Sequence, residues 1–232
     1  MNNDYYSYKV IQILCQIVPI NEKNPNLRSQ FIKMQEYLIL APASSYLFII
    51  TVLTSLYAFY FDDSIINKFI LAPYQMVKHN EYYRILTCSL IHADWWHLIF
   101  NMYSFYIFAF TLEIHFLGTI YFLIVYVGSL IVSCLPSVIQ HKNNPAYLSL
   151  GASGAVSGIV FSYVLFNPFQ LFYVFFAIPM PAWLFGIIFT VYSYFAAKNS
   201  ADNINHNAHL WGALTGLILT LILNPHILRR YF

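Results

Sequence analysis

Gly151-Ala152-Ser153-Gly154-Ala155-Val156-Ser157-Gly158 opens an apolar run that continues to Phe166. Its residues are small, uncharged and free of proline, and a serine stands in what would be the first turn of a helix. Two other apolar runs begin in the same unusual way. Trp95-Trp96-His97-Leu98-Ile99-Phe100-Asn101 places His97 and Asn101 near its start, and His206-Asn207-Ala208-His209-Leu210-Trp211-Gly212 places His206 and His209 there. Polar groups at the heads of three apolar helices decide the reading of the whole chain.

The solvent is set by composition. Of 232 residues, 59% are hydrophobic and only 9% charged, against about 25% charged in a soluble domain, and the mean hydropathy is +0.61. The bilayer is therefore the expected environment. A formal net charge of +2 with no basic patch offers no electrostatic footprint for nucleic acid, so no nucleic-acid partner is expected. Cys15, Cys88 and Cys134 are too few and too widely spaced for a disulfide framework or a zinc cluster. Neither a metal motif nor a nucleotide loop occurs, so no cofactor is expected.

A span needs about 20 apolar residues to cross about 30 Å of hydrocarbon. Six segments qualify or nearly so. The first is Tyr46–Phe61, extended back toward Tyr37. The second is Ala93–Phe116, opened by the interfacial pair Trp95-Trp96, and the third is Gly118–Val138. The fourth is Leu150–Phe166, the fifth Pro181–Ala197 and the sixth Ala208–Leu223. Asp62–His92 is too polar to cross and reads as a loop lying in the interface. Phe169–Met180 reads as an apolar connection at the membrane face, because Pro179 and Pro181 break any helix there. The organisation expected is a cytosolic extension over residues 1–36, a six-span all-α domain over 37–224 and a cytosolic tail over 225–232. Lys and Arg near both termini favour that orientation.

Parity then does the geometric work. With six alternating spans and a cytosolic N-terminus, the second, fourth and sixth all start at the outer side. Those are the starts that carry His97 and Asn101, Ser153, and His209. His97 and Asn101 are four residues apart and share a helix face. Ser153 lies where unpaired backbone N–H groups and the positive end of the helix dipole face incoming negative charge. An oxyanion forming there would be stabilised, with Asn101 and His97 as further donors. His209 is placed to take the serine proton and return it to a leaving amine. Glu113 lies about 18 Å further along its helix than Asn101, at about 1.5 Å per residue, so a Ser–His dyad is expected and not a triad. Gly154-x-x-x-Gly158 and Gly212-x-x-x-Gly216 would let the fourth and sixth spans approach closely.

These residues resemble the rhomboid family of intramembrane serine proteases, from about residue 40 to 224. Gly151-Ala152-Ser153-Gly154 is similar to that family's Gly-x-Ser-Gly nucleophile motif, and His209-Leu-Trp-Gly-Ala-Leu-Thr-Gly216 to its histidine helix. His92, His97 and Asn101 match its second-span pattern, and Glu81-Tyr-Tyr-Arg84 stands where it has a Trp-Arg pair, with Tyr83 in place of the tryptophan. Ser157 stands where relatives often carry an aromatic ring stacked on the histidine. The resemblance implies a serine endopeptidase that cuts single-span or polytopic membrane-protein substrates near the outer leaflet. Ser153 and His209 would be catalytic, His97 and Asn101 would serve the oxyanion, and Gly151, Gly154, His92 and His206 would support the site.

Two other classes compete with this reading. A transporter would show internal repeats or paired broken helices, and the chain has neither. An inert rhomboid-like protein that binds membrane clients should lack Ser153 or His209, and both are present. Richness in Ile, Asn, Tyr and Phe suggests a bacterial plasma membrane.

Overall fold

The computed structural model describes residues 36–174, 178–199 and 205–230. The expected extension over residues 1–36 therefore lies, but for its last residue, outside the described residues. Residues 36–40 are helical and lead into α1, Pro42–Tyr60. The first loop contains three short helices, α2 (Ser64–Phe69), α3 (Pro73–His79) and α4 (Arg84–Thr87), followed by a 3-10 turn at Cys88–Leu90. Then come α5 (Trp95–Leu112), a wide π turn at Glu113–Leu117, α6 (Gly118–His141) and α7 (Ser153–Phe166). A hairpin of β1 (Leu171–Val174) and β2 (Ile178–Pro181) precedes α8 (Ala182–Asn199) and α9 (His206–Leu223).

The helices are sorted for a lipid solvent. On α1 the buried residues are small or polar, Ser44, Ser45, Thr51, Ser55 and Ala58, while Ile49, Leu53, Tyr57 and Tyr60 face outward. Water would penalise that arrangement; hydrocarbon favours it, because small residues allow close helix approach and large apolar ones dissolve in the tails. Three stretches are long and apolar enough to cross a membrane: Pro42–Tyr60, Trp95–His141 and His206–Leu223. The second contains both α5 and α6, which double back at Gly118, where φ is +66°. The chain is a predominantly helical membrane protein.

α7 sits at the centre. It has the composition of a helix buried on all sides, with Gly154, Ala155, Gly158, Ile159 and Ser162 all buried. α6 and α9 clasp it at its glycines. A Cβ on Gly212 or Gly216 would overlap the backbone carbonyl of Gly154 or Gly158, and one on Gly158 would lie 2.5 Å from Ser129 Cβ. At the far end Ser162 and Thr220 share a hydrogen bond of 2.6 Å between α7 and α9.

Glu113, remote from the dyad in the sequence reading, has a structural task at the opposite end of the bundle. Its buried carboxylate accepts from the Ala43 and Ser44 N–H groups, at 3.1 and 2.7 Å, and from Thr119 Oγ1 at 2.8 Å. A carboxylate supplied from the end of α5 thus caps the start of α1, where unpaired N–H groups and the dipole favour negative charge.

Several expected boundaries shift. The connection over Phe169–Met180 is a departure from an all-α chain: β1 pairs antiparallel with β2, Leu171 opposite Pro181 and Val174 opposite Ile178. A two-stranded ribbon tolerates Pro179 and Pro181, since each strand has an edge that requires no N–H. The fourth helix begins at Ser153, not Leu150, because Gly151 at φ +112° is incompatible with a helix. The second begins at Trp95 and the sixth at His206, each set by a side-chain cap: Asp94 accepts from the His97 N–H and Asn205 from the Ala208 N–H. The third continues to His141, past Val138, and the fifth to Asn199.

Candidate active site

Ser153 is the first residue of α7 and His209 the fourth of α9, and Ser153 Oγ lies 2.8 Å from His209 Nε2. This is the contact expected of a nucleophile and its base. The glycine packing of α7 on α9 makes it possible, since it brings the two helix starts to backbone contact. Among the described residues no carboxylate bonds His209. Its ring is instead held by aromatic neighbours: Phe189 of α8 stacks on it at 6.2 Å and 27°, and His206 meets it edge-on at 6.1 Å. His206 is buried and in turn meets Tyr192 of α8 edge-on at 5.4 Å.

Ser157, at the position where the resemblance leads one to look for an aromatic ring, donates to the Ser153 carbonyl at 2.8 Å and leaves the wall open. The ring on His209 comes from a different helix. Nothing in the spacing of Phe185 and Phe189 distinguishes them from lipid-facing residues, so Phe189 was not legible in the sequence.

The start of α7, like that of α6, carries no side-chain cap. α1, α5 and α9 all have side-chain acceptors at their starts, whereas Ala152 provides none for α7. The first ladder bond runs from the Val156 N–H to the Ala152 carbonyl, at 2.9 Å. The N–H groups of Ser153, Gly154 and Ala155 therefore precede the ladder, at the positive end of the dipole. Such a terminus is a ready site for negative charge.

The two expected oxyanion side chains differ in placement. Asn101, buried on α5, forms part of the wall of a cavity of about 200 Å³ that also exposes Ser153 and His209. Its amide donates one N–H back to the His97 carbonyl at 2.9 Å, which fixes the side chain and leaves the second N–H to donate. His97 packs instead against Gly151, where an added Cβ would lie 2.6 Å from its ring. That contact and the positive φ together require glycine at 151. Gly154 is likewise a packing residue, facing Ser133 of α6 and α9.

His92 stands in the loop before α5, wholly buried, its ring 4.9 Å from that of His97. Ser55 Oγ donates to the Leu90 carbonyl at 3.0 Å and lies 3.0 Å from His92 Nδ1. Because the hydroxyl has one proton, already given to Leu90, Nδ1 is the donor and the neutral ring keeps its lone pair on Nε2. Burial, reinforced by His97, holds His92 neutral with a pKa of about 3. It braces His97 and does not reach the cavity wall.

The first loop supports the approach to Ser153. Leu71 and Ser149 exchange backbone bonds of 2.9 and 3.0 Å, and the Gly151 N–H donates to the Cys88 carbonyl at 2.8 Å. Arg84 holds the loop itself, donating to the carbonyls of Asn67 and Ile70 and pairing with Glu81 at 2.6 Å. The cavity descends along one face of α7, past Val156, Ser157 and Val160, between α5 and α8. Those two helices flank it without packing closely on each other. Among the described residues no cluster of His, Cys, Asp and Glu is arranged to hold a metal ion.

The sequence is similar to known proteins. The model of the Rhomboid domain matches residues 79–226. "Putative rhomboid protease YdcA" of Bacillus subtilis (strain 168) is 33% identical over 157 residues, 67% of this chain and 74% of that protein. Two Arabidopsis thaliana proteins also match: "RHOMBOID-like protein 12, mitochondrial" at 28% identity and "Rhomboid-like protein 11, chloroplastic" at 30%. The aligned regions span about half the length of these plant proteins, 46% and 53%. Matched over more than half its length by the domain model, and by a bacterial relative over two thirds of it, the chain belongs to the rhomboid family.

Proposed function

We propose that this chain is an intramembrane serine endopeptidase that cleaves membrane-protein segments near the outer leaflet of a bacterial plasma membrane. The observation that carries the reading is the 2.8 Å contact of Ser153 Oγ with His209 Nε2 at the uncapped start of α7. In the mechanism it supports, His209 Nε2 accepts the Ser153 proton as Oγ attacks the scissile carbonyl. The oxyanion of the tetrahedral intermediate takes hydrogen bonds from N–H groups at the start of α7. His209 then passes the proton to the leaving amine, and an acyl-enzyme remains for water to hydrolyse.

Helix length supports cleavage below the membrane surface. α7 has 14 residues, about 21 Å at about 1.5 Å each, against about 30 Å of hydrocarbon. If the turn after Phe166 lies at the cytosolic face, Ser153 sits well inside the outer boundary. A substrate segment would reach it from the lipid through the opening between α5 and α8. Incubating the purified, detergent-solubilised protein with a panel of single-span substrates tests the proposal, with any cut mapped by mass spectrometry. Client binding without cleavage of any substrate would favour an inert rhomboid-like protein instead.

The six-span topology is tested separately. Single cysteines at Asn143, Asn203 and Gln170, in a background lacking Cys15, Cys88 and Cys134, are probed on intact cells with an impermeant thiol reagent. Positions 143 and 203 are expected to label and position 170 is not. Opposite accessibility of 143 and 203 would place an extra or a missing crossing between serine and histidine.

Asn101 gives a second test. Removal of one oxyanion donor costs about 10²–10³ in turnover, so Asn101→Ala is expected to reduce kcat on that order with KM little changed. A rise in KM at constant kcat would show that Asn101 only shapes the cavity.

A further inference from the structure

A polar junction lies just outside the candidate site. Asn205 Oδ1 accepts from the Ala208 N–H at 3.0 Å and so caps α9. The other end of the same amide donates to Ser137 Oγ of α6 at 2.9 Å and to Tyr147 OH at 3.2 Å, with Ser149 Oγ at 3.4 Å. Ser137 and Tyr147 also bond each other at 2.9 Å, and the Tyr147 ring stacks on His141 at 3.7 Å and 5°. Ser149 continues the junction into the first loop through its paired backbone bonds with Leu71.

Position in the chain gives this junction its meaning. Asn205 precedes His209 by four residues, and Ser149 precedes Ser153 by four. One amide therefore joins the lead-in segments of the two residues whose 2.8 Å contact the proposed chemistry requires. The glycine faces of α7 and α9 fix how closely the helices pack, and the Ser162–Thr220 bond ties them at the end away from the dyad; at the end that carries the dyad the small-residue surfaces offer no directional contact of their own. A directional amide bonded at both ends supplies one there. No carboxylate orients His209 among the described residues, so its placement depends on where α9 begins.

We propose that Asn205 is a positioning residue for the dyad: it sets the axial register of His209 against Ser153 by joining the start of α9 to α6 and to the loop before α7. This rests on the serine-protease reading above. Asn205 touches neither reacting atom and acts through the position of His209.

The two ends of the amide can be separated by substitution. Asn205→Ser keeps a good N-cap but is too short to reach Ser137 and Tyr147. Tyr147→Phe keeps the ring on His141 and removes only the hydroxyl. Each is prepared as the full chain in detergent, and kcat, KM and thermal midpoint are measured on a substrate that the wild type cuts. A misplacement of about 1 Å can cost about 10² in rate. Asn205→Ser is therefore expected to lower kcat at least about tenfold, with KM and midpoint near wild type, and Tyr147→Phe to lower kcat in the same sense. Combined, they should fall short of the product of the single effects, because they break one junction. Wild-type kcat in Asn205→Ser, a loss confined to the thermal midpoint, or full additivity overturns the proposal. If Asn205→Ser does not fold, Ser137→Ala with Tyr147→Phe completes the same cycle. An absence of Ser153-dependent cleavage in the wild type removes the dyad reading and this proposal with it, whereas normal wild-type turnover with an indifferent Asn205 removes this proposal alone.

Discussion

Ser153→Ala is expected to abolish cleavage of every substrate that the wild-type chain cuts, with a fall in kcat of at least about 10⁴-fold. That magnitude is usual for removing one member of a nucleophile–base pair, because the remaining partner has nothing to activate. The fold should tolerate the change. One oxygen leaves a cavity of about 200 Å³, and the single bond lost, to His209 Nε2, contributes about 1 kcal/mol. Ser157→Ala is the matched control. It removes a hydroxyl on the same wall, one turn away, that bonds the Ser153 carbonyl and does not face His209 as a partner. Ser153→Ala should also lose labelling by a fluorophosphonate, and Ser157→Ala should keep it. Proteolysis retained in purified Ser153→Ala protein would eliminate the mechanism, and loss of activity in both variants would point to disturbed packing.

The membrane made much of this fold legible. Backbone in hydrocarbon must satisfy its own hydrogen bonds, so apolar runs reduce to helices and only their ends are in question. At those ends the structure differs from the sequence pattern by two or three residues in several helices. Asp94 and Asn205 set helix starts through caps, and a Ser, Thr, Asp or Asn before an apolar run is a signal that could have placed both. Ser153 and His209 were legible because each is a costly polar group in an apolar helix, next to glycines that explain how the helices meet.

Side-chain roles set by three-dimensional neighbours were less accessible. Spacing places His97 and Asn101 on one face, but His97 is turned against Gly151 and His92 while Asn101 remains on the cavity wall. Glu113 is an isolated acid in sequence, and its partners Ala43 and Ser44 are about 70 positions away. Phe189 belongs to a helix that presents aromatics in most directions, and only the path of α8 selects the one that meets His209. The β1–β2 hairpin was hidden because Pro179 and Pro181 exclude a helix without specifying a ribbon.

Gly212→Ala should be strongly damaging while leaving both proposed catalytic groups intact. A Cβ at 212 would overlap the Gly154 carbonyl oxygen and lie 2.8 Å from its carbon. Backbone of the central helix cannot rotate aside as a side chain would, so α9 must move away from α7 by about 1 Å to restore ordinary contact. Overpacking of this kind costs about 1–3 kcal/mol. A catalytic cost adds to it, because the same movement lengthens the Ser153–His209 contact from 2.8 Å at a site where about 1 Å is worth about 10² in rate. The control is Gly186→Ala on α8. A Cβ there meets Phe161 at 3.7 Å, an ordinary contact, and replacing glycine in a helix interior is favourable by up to about 1 kcal/mol. The expected pattern is a lowered thermal midpoint and about hundredfold lower kcat for Gly212→Ala, against an unchanged or raised midpoint and near-normal turnover for Gly186→Ala. Equal tolerance of alanine at both positions would mean that close approach of α7 and α9 is not what brings serine and histidine together.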